Sequence, residues 1–265
     1  MLSKNQLKFV NSLKQKKFRE EHNLFIAEGA KIVHELLDSQ IKVKHVFATS
    51  AFLSSFEEGK AGKTIINKTV EFIEVKENEL ERLSALTTPN EALALCEIPR
   101  YELSRDKLND KLTLVLDNIK DPGNLGTIIR IADWFGIETI ICSNETADAF
   151  NPKVVQATMG SIARIKLHYT DLIEFFEKNK QLPVYGALLE GENIYSKQLS
   201  ANGFILIGNE SRGISDNLIQ FISDKISIPS FSHFKAGRGE AESLNAAVAT
   251  SIICSEFRRK QNLVI

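Results

Sequence analysis

Residues 112–130 read LTLVLDNIKDPGNLGTIIR, a short apolar run followed by a polar turn and a second apolar segment. The run at 112–116 shows no strict alternation of polar and apolar residues, which is typical of a strand buried on both faces. Pro122 and Gly123 favour a turn, and the apolar spacing after them predicts a helix. The stretch therefore predicts a buried strand, a loop and a helix in that order.

Comparable apolar runs recur through the C-terminal half of the chain, most of them separated by segments with helical spacing. They occupy residues 139–142, 184–189, 204–207 and 226–228. Short buried strands joined by helical crossovers indicate a parallel sheet with helices on both sides. Ligands of such sheets bind beyond the carboxyl ends of the strands, so we expect the functional site there. The loops concerned follow Leu116, Leu189, Ile207 and Ile228.

The composition sets the class of protein. With 265 residues, of which 43% are hydrophobic and 25% charged, the chain suits a globular protein of two domains. No apolar run reaches the roughly 18 residues that a membrane span requires, and the N-terminal segment lacks the apolar stretch of a secretory signal. These features favour a cytoplasmic location.

The cysteines and histidines do not suggest a metal or disulfide framework. Cys96, Cys142 and Cys254 are far apart and each lies in an apolar segment, which predicts reduced, packed thiols. The five histidines show none of the usual ligand spacings, so we expect no metal site.

A change of pattern near residue 100 predicts a domain boundary. Before it, helical segments at 29–39 and 77–86 alternate with strand-like segments at 43–48, 72–75 and 92–96. Ile98, Pro99 and a polar stretch then interrupt the pattern, as a linker would. We predict a small α/β domain over residues 1–100, a linker over 101–110 and a second domain over 111–265.

The N-terminal segment is basic, although the whole chain carries a formal net charge of −1. Residues 4–19 contain no acid, and their basic residues are Lys4, Lys8, Lys14, Lys16, Lys17 and Arg19. In a helical projection these surround an apolar stripe of Leu7, Val10 and Leu13. Two interpretations stay open: a solvated amphipathic helix and a surface that contacts phosphates.

The helix after the first strand carries Asn124 and Arg130 among apolar residues. If Asn124 opens this helix, the two side chains lie on neighbouring faces and towards the same end of the sheet. An arginine between isoleucines is costly to bury unless it is paired or held for a ligand. The alternatives are that Asn124 is only an N-cap and that Arg130 only pairs with Asp133.

Two further loops place polar residues at the ends of predicted strands. Residues 207–215 read IGNESRGIS, so Glu210 follows the strand closely and two glycines permit close backbone approach. Glu210 serves a ligand in one interpretation and caps the next helix in the other. Ser243 and Asn245 precede a helix at 246–259, where they either cap it or hydrogen-bond a hydroxyl or nucleoside edge.

Common nucleotide and hydrolase motifs are missing from the sequence. The first loop contains Gly123 and Gly126 but no G-x-G-x-x-G, and the chain has no Walker A loop and no G-x-S-x-G elbow. Dinucleotide-dependent oxidoreductases, P-loop NTPases and α/β-hydrolases are therefore disfavoured.

Taken together, three segments resemble the motifs of the SpoU/TrmH-type RNA 2′-O-ribose methyltransferases of the SPOUT superfamily. They are NLGTIIR at 124–130, IGNESRGIS at 207–215, and IP at 228–229 followed by SLN at 243–245. They occur in the family's order and span nearly all of residues 112–259. FIAEG at 25–29 and TTP at 87–89 lie in a region that resembles the ribosomal-protein-like substrate-binding domain often fused to such enzymes.

The resemblance implies a fold, a cofactor and a site. The fold is α/β: a parallel-sheet SPOUT domain with a deep trefoil knot, preceded by a smaller α/β RNA-binding domain. S-adenosylmethionine is the implied cofactor, and a homodimer is implied in which Arg130 of one subunit reaches the cofactor of the other. The implied catalytic residues are Asn124, Arg130, Glu210, Ser243 and Asn245. The implied cofactor-binding residues are Ala187, Leu189, Gly208, Ile228 and Leu244, acting largely through backbone groups.

The implied reaction is methylation of a ribose 2′-hydroxyl, and both ribosomal RNA and tRNA are open as substrates. A guanidinium holds its proton at neutral pH, so the chemistry favours Arg130 as an electrostatic anchor for the developing alkoxide rather than as a base. The rival interpretations are a non-catalytic RNA-binding or ribosome-assembly protein of the same fold and a base-nitrogen methyltransferase.

One departure from the family pattern is the long segment between the IP and SLN motifs. Residues 230–242 replace a short loop and contain His233, Lys235 and Arg238. These cations either add an RNA contact or solvate a loop.

Overall fold

A computed structural model describes residues 2–59, 69–86, 90–104, 106–231 and 243–259. The helices are α1 (Lys4–Ser12), α2 (Lys16–His22), α3 (Ala30–Leu37), α4 (Ser50–Gly59), α5 (Glu77–Leu83), α6 (Asp106–Asn109), α7 (Pro122–Trp134), α8 (Pro152–Thr158), α9 (Leu172–Lys178), α10 (Asp216–Ile219) and α11 (Ala246–Arg259). The strands are β1 (Leu24–Glu28), β2 (Val43–Ala48), β3 (Glu71–Glu74), β4 (Ala92–Glu97), β5 (Leu112–Leu116), β6 (Thr139–Ser143), β7 (Lys166–Thr170), β8 (Val184–Asn193), β9 (Gly203–Ile207) and β10 (Asp224–Ser227). The TTP segment at 87–89 and residues 232–242, which include His233, Lys235 and Arg238, lie outside the described residues.

The chain divides into two compact units. The first consists of Met1–Arg100 and Asp148–Arg164, and the second of Tyr101–Ala147 and Ile165–Ile265. The assignment of RNA binding to the first unit and catalysis to the second stays a prediction.

The first unit contains a four-stranded sheet with the strand order β1-β4-β2-β3. β4 runs antiparallel to both β1 and β2, whereas β2 and β3 are parallel. The three predicted strands and both predicted helices of this region are confirmed, with ends that differ by a few residues. β1 was not predicted, although its residues are mostly buried and it forms an edge of the sheet.

The basic N-terminal segment forms two helices, because the chain turns at residues 13–15 between α1 and α2. Val10 and Leu13 are buried in one hydrophobic cluster with Ile26 and Phe47, so the apolar stripe faces the core of the unit.

Arg19 corrects one prediction for this segment. It is only 1% exposed, and its Nη1 atom donates to the carbonyl oxygens of Leu13 and Lys14 at 2.9 Å each. Its Nη2 atom forms an ion pair with Asp148. Arg19 is therefore neither solvated nor available to phosphate, because its charge is compensated inside the unit.

The second unit contains a six-stranded sheet with the order β10-β8-β9-β5-β6-β7, and all of its strand pairs are parallel. The predicted parallel sheet is confirmed. β7 was not predicted, because this edge strand is largely half-buried and contains alternating polar residues. β8 continues past Leu189 to Asn193, and β10 ends at Ser227, so Ile228 lies just beyond it.

The central strands position the candidate site. β5 and β9 are fully buried and adjacent, so the loops that follow them emerge side by side at the carboxyl edge of the sheet. α11 packs against α7, and the Nε atom of Arg258 on α11 donates to the carbonyl oxygen of Phe135 at 2.7 Å. The trefoil knot that the resemblance implies stays a prediction.

Within the described residues, no helix is both long and apolar enough to cross a membrane, and no cluster of three or more metal-ligating side chains occurs. Cys96, Cys142 and Cys254 are free and buried, as predicted. Burial raises the pKa of all three thiols, that of Cys254 to about 12, so none of them is a nucleophile at neutral pH.

Candidate active site

α7 begins at Pro122, and Asp121 is its N-cap. The Asp121 carboxylate accepts a hydrogen bond from the backbone N–H of Asn124 at 2.8 Å. A proline in the first helical position fits this arrangement, because its missing N–H would have no helical partner there. The alternative that Asn124 itself caps the helix is therefore wrong, and its side chain is left for other contacts.

The Asn124 side chain joins the other two motifs. Its Nδ2 atom donates to Oε1 of Glu210 at 2.5 Å, across 86 residues of sequence. Its Oδ1 atom accepts from Nδ2 of Asn245 at 2.8 Å, across 121 residues. The first motif thus lies between the second and the third.

Glu210 sits in a tight turn, residues 209–213, that directly follows β9. Asn209 and Gly213 pair through two backbone hydrogen bonds of 2.9 Å each. The N-cap of the next helix, α10, is Ser215, so the interpretation of Glu210 as a helix cap is wrong. Glu210 is half-buried, and its carboxylate accepts a hydrogen bond from Asn124 instead.

Asn245 has both of the roles that the sequence left open. Its Oδ1 atom accepts from the backbone N–H groups of Ala247 and Val248 at 3.0 and 3.2 Å, which caps α11. Its Nδ2 atom makes the bond to Asn124. Ser243 completes the group, since its hydroxyl donates to the carbonyl oxygen of Glu210 at 3.4 Å.

The direction of this hydrogen-bond chain is set at its two ends. A carboxylate only accepts, so Asn124 presents its amide NH₂ group to Glu210 and its oxygen to Asn245. The N-terminus of α11 only donates, so Asn245 turns its oxygen towards the helix and its NH₂ group towards Asn124. Both amide orientations follow from the charge at one end and the helix at the other.

Arg130 is not part of this group. It lies six residues beyond Asn124, which in a helix means about 9 Å along the axis and about 240° around it. Its side chain is exposed, and within the described residues it has no hydrogen-bond or ion-pair partner. Exposure spares Arg130 the cost of burial between isoleucines, and none of the ion pairs observed among the described residues joins it to Asp133.

Two of the predicted cofactor residues, Ala187 and Leu189, lie where β8 separates from its neighbouring strands. β8 pairs with β9 only as far as Gly186, and its pairing with β10 resumes at Glu192. Residues 187–191 therefore have no register partner in either neighbouring strand and form a bulge. Ala187 is half-buried and Leu189 is 74% exposed, and the Leu189 carbonyl oxygen accepts from the Ser227 hydroxyl at 3.0 Å.

Gly208, Ile228 and Leu244 lie at the ends of the neighbouring segments. Gly208 leaves no space for a side chain: a Cβ atom would lie 2.3 Å from the backbone carbon of Gly213. Ile228 follows β10 and is half-buried, and Leu244 is 47% exposed between Ser243 and Asn245. Backbone outside the ladder beside the exposed side chains of Leu189 and Leu244 fits an uncharged nucleoside such as that of S-adenosylmethionine. The individual contacts stay predictions.

Three residues that support the site were not predicted. Asp117 is buried after β5, and its carboxylate accepts from the backbone N–H of Ser215 at 2.7 Å. Asn118 has a positive φ of 61°. The Asn209 side chain donates to the Asn118 carbonyl oxygen at 2.8 Å. A polar residue directly after a fully apolar strand was the available signal for Asp117.

Comparisons with known proteins agree with this geometry. Residues 111–255 match the model of the SpoU rRNA Methylase family, and residues 4–94 match the MRM3-like substrate binding domain. The chain is 30% identical over 262 residues to the 23S rRNA (guanosine(2553)-2′-O)-methyltransferase RlmP of Bacillus subtilis, which covers 97% of both chains.

Two solved structures are similar over nearly the whole chain. A TrmH-family protein from Porphyromonas gingivalis is 36% identical with a TM-score of 0.84, covering 98% of this chain and 99% of that one. An rRNA methyltransferase from Sinorhizobium meliloti, solved with bound AdoMet, is 31% identical with a TM-score of 0.80, covering 98% and 96%. The chain belongs to the SpoU rRNA methylase family.

Proposed function

We propose that this chain transfers a methyl group from S-adenosylmethionine to a ribose 2′-hydroxyl of structured ribosomal RNA. The observation that carries the proposal is the convergence of Asn124, Glu210, Ser243 and Asn245 in one hydrogen-bonded group at the carboxyl edge of the sheet. The relatives support ribosomal RNA rather than tRNA, because the proteins from Bacillus subtilis and Sinorhizobium meliloti are named as rRNA methyltransferases.

The cofactor supplies an electrophilic methyl group on a sulfonium. The chain's own part is to hold it by the backbone of residues 187–191, Gly208 and Ile228, with Leu189 and Leu244 as apolar contacts. In this proposal the Glu210 turn is left for the RNA.

The hydrogen-bonded group and Arg130 have different parts in this mechanism. Asn124 and Asn245 are held rigidly by Glu210 and α11, so they provide fixed groups against which a ribose is oriented. Arg130 binds the 2′-oxygen and a neighbouring phosphate and stabilises the developing negative charge, because a guanidinium does not give up its proton at neutral pH. The proton leaves late, through water or phosphate.

A homodimer with shared sites is part of the proposal. Arg130 is exposed and unpartnered within the described part of its own chain, which suits a residue that serves the partner's site. Trp134 lies one turn further along α7 and is 85% exposed, and Val248 on the adjacent α11 is 48% exposed. Apolar side chains of this size on two packed helices support an interface between subunits.

The remaining parts of the proposal rest on the family. They are the trefoil knot, a cytoplasmic location, and RNA binding by the first unit, which the match to a substrate-binding domain supports. Lys14 is unsuited to carry that binding alone: its amine donates to the carbonyl oxygen of Ser84 at 2.7 Å, and burial lowers its pKa.

A methylation assay on separate ribosomal RNA and tRNA fractions, followed by nucleoside analysis, tests the activity. We expect 2′-O-methylnucleosides in ribosomal RNA. A methylated base would support the base-nitrogen alternative, and RNA binding without methyl transfer would support the non-catalytic one.

The same assay tests the role of Arg130. Arg130→Ala should abolish turnover while S-adenosylmethionine binding by calorimetry is retained, and Arg130→Lys should also fail because it loses the bidentate geometry. Equally weakened cofactor binding in Arg130→Ala would contradict an electrostatic role in the transition state.

A further inference from the structure

The turn that carries Glu210 is fixed from several sides. The Asn209 side chain accepts from the backbone N–H groups of Ser211 and Arg212 at 2.9 and 3.2 Å. On its other side it donates to the Asn118 carbonyl oxygen, which ties the turn to the loop after β5. Gly208 has no room for a side chain against the returning backbone. Residues 210–212 are therefore presented on a rigid support.

Two side chains of this turn differ in their surroundings. Glu210 is half-buried and bonded to Asn124. Arg212, two residues later, is exposed, and among the described residues no hydrogen bond or ion pair involves its guanidinium. An unpaired arginine on a rigid backbone loses less entropy on binding a ligand than one on a mobile loop.

The charged residues around the site indicate a role for Arg212. In their described residues, the loops after β5 and β9 and the segments that flank 232–242 contain the carboxylates of Asp117, Asp121 and Glu210, and the net charge of the chain is −1. Lys120 donates to the carbonyl oxygen of Glu145 at 2.6 Å, and Arg130 is assigned to the partner's site. Within the described part of the site loops, Arg212 is thus the unpaired cation that can bind an RNA phosphate at the site of its own subunit.

We propose that Arg212 binds an RNA phosphate next to the target nucleotide and so positions the ribose in front of Asn124 and Glu210. A guanidinium matches a phosphate in geometry and forms charge-assisted hydrogen bonds with it. Because phosphates carry no base identity, this contact positions the RNA and does not select its sequence. The inference rests on the proposed RNA substrate.

The test compares the full-length wild type with Arg212→Ala and Arg212→Lys. In Arg212→Ala the KM for RNA rises about tenfold or more, since a charge-assisted bond is lost. The slope of log affinity against log salt concentration falls by about 1, as for one lost phosphate contact. The kcat at saturating RNA falls by a smaller factor than the KM rises, because part of the ribose positioning is lost, and the Kd for S-adenosylmethionine stays near the wild-type value. Arg212→Lys restores the salt slope and part of the KM.

A matched control is Lys180→Ala, which removes an exposed lysine just before β8, near the amino end of that strand. The KM for RNA and the salt slope of this variant should stay unchanged. An unchanged salt slope in Arg212→Ala would overturn the inference. So would a loss of thermal stability or cofactor affinity that Arg212→Lys does not repair. Salt-dependent RNA binding by fluorescence anisotropy needs no turnover, so it tests Arg212 even if the wild type methylates no RNA, an outcome that would refute the proposed function alone.

Discussion

At the scale of residues, Asn245 shows how one amide serves stability and function together. Its oxygen caps α11 and its nitrogen holds Asn124. In Asn245→Asp the carboxylate keeps the cap and is favoured by the helix dipole, but it has no proton to give Asn124. We expect the free energy of unfolding to fall by no more than about 1 kcal/mol, while kcat falls about tenfold or more, an activation cost of about 1.4 kcal/mol.

Chemical denaturation and single-turnover methylation measure the two effects separately. The control is Asn245→Ala, which loses the cap as well and should be less stable than Asn245→Asp by about 1 kcal/mol. Wild-type turnover in Asn245→Asp would show that the bond to Asn124 is not needed for the reaction.

The sequence identified candidate site residues but not their contacts. Asn124 and Glu210 both looked like helix caps, and in both cases a neighbour, Asp121 or Ser215, occupies the cap. Local patterns identify which residues are able to cap a helix, whereas the choice among candidates depends on where the helix begins. The exposure of Arg130 also depends on how the helix is oriented, since a helix has an exposed face even between isoleucines.

At the scale of elements, the turn at 209–213 depends on a close approach of two backbone segments. A Cβ atom on Gly208 would lie 2.3 Å from the Gly213 carbon and 2.4 Å from the Ile214 nitrogen. In Gly208→Ala the turn must shift, at a cost of about 1–3 kcal/mol in unfolding free energy. Turnover should fall with it, because Glu210 moves away from Asn124.

Gly213→Asn is the matched control for this turn. Gly213 has φ +70°, but beyond its chain neighbours no atom of the described residues lies within 4 Å of the place that a Cβ atom would take. Asparagine also tolerates this backbone conformation. The thermal unfolding midpoint of Gly213→Asn should therefore stay closer to wild type than that of Gly208→Ala. Equal midpoints for Gly208→Ala and wild type would contradict the close approach.

Complete burial made two central strands predictable, whereas β1 was missed although most of its residues are buried. β5 and β9 are fully buried, and their apolar runs matched the structure closely. β7 is an edge strand with partly exposed residues, so its sequence lacks such a run. The bulge in β8 has no local signal either, because it arises from the way β10 pairs on both sides of it.

At the scale of the whole molecule, the two compact units are interleaved in sequence. After β6 the chain leaves the second unit, contributes Asp148–Arg164 to the first, and returns as β7. Within the first unit α8 packs on β1, and Asp148 neutralises the buried Arg19. Deleting residues 1–100 would therefore leave Asp148–Arg164 without the rest of their packed unit, which makes point variants the better probe of RNA binding. No run of adjacent residues encodes this arrangement.

If a homodimer shares its sites between subunits, two variants that are inactive alone should restore activity when their subunits are mixed. Arg130→Ala and Glu210→Ala should each be inactive alone, because every site in either homodimer lacks one group. After subunit exchange, half of the dimers are mixed, and each mixed dimer has one complete site, so methyl incorporation should recover to about a quarter of the wild-type value. The control mixture is Asn124→Ala with Glu210→Ala, whose missing groups belong to the same side of each site, and it should stay inactive. If Arg130 acted within its own chain, the first mixture would stay inactive too, since each site in a mixed dimer would then lack either its arginine or its glutamate.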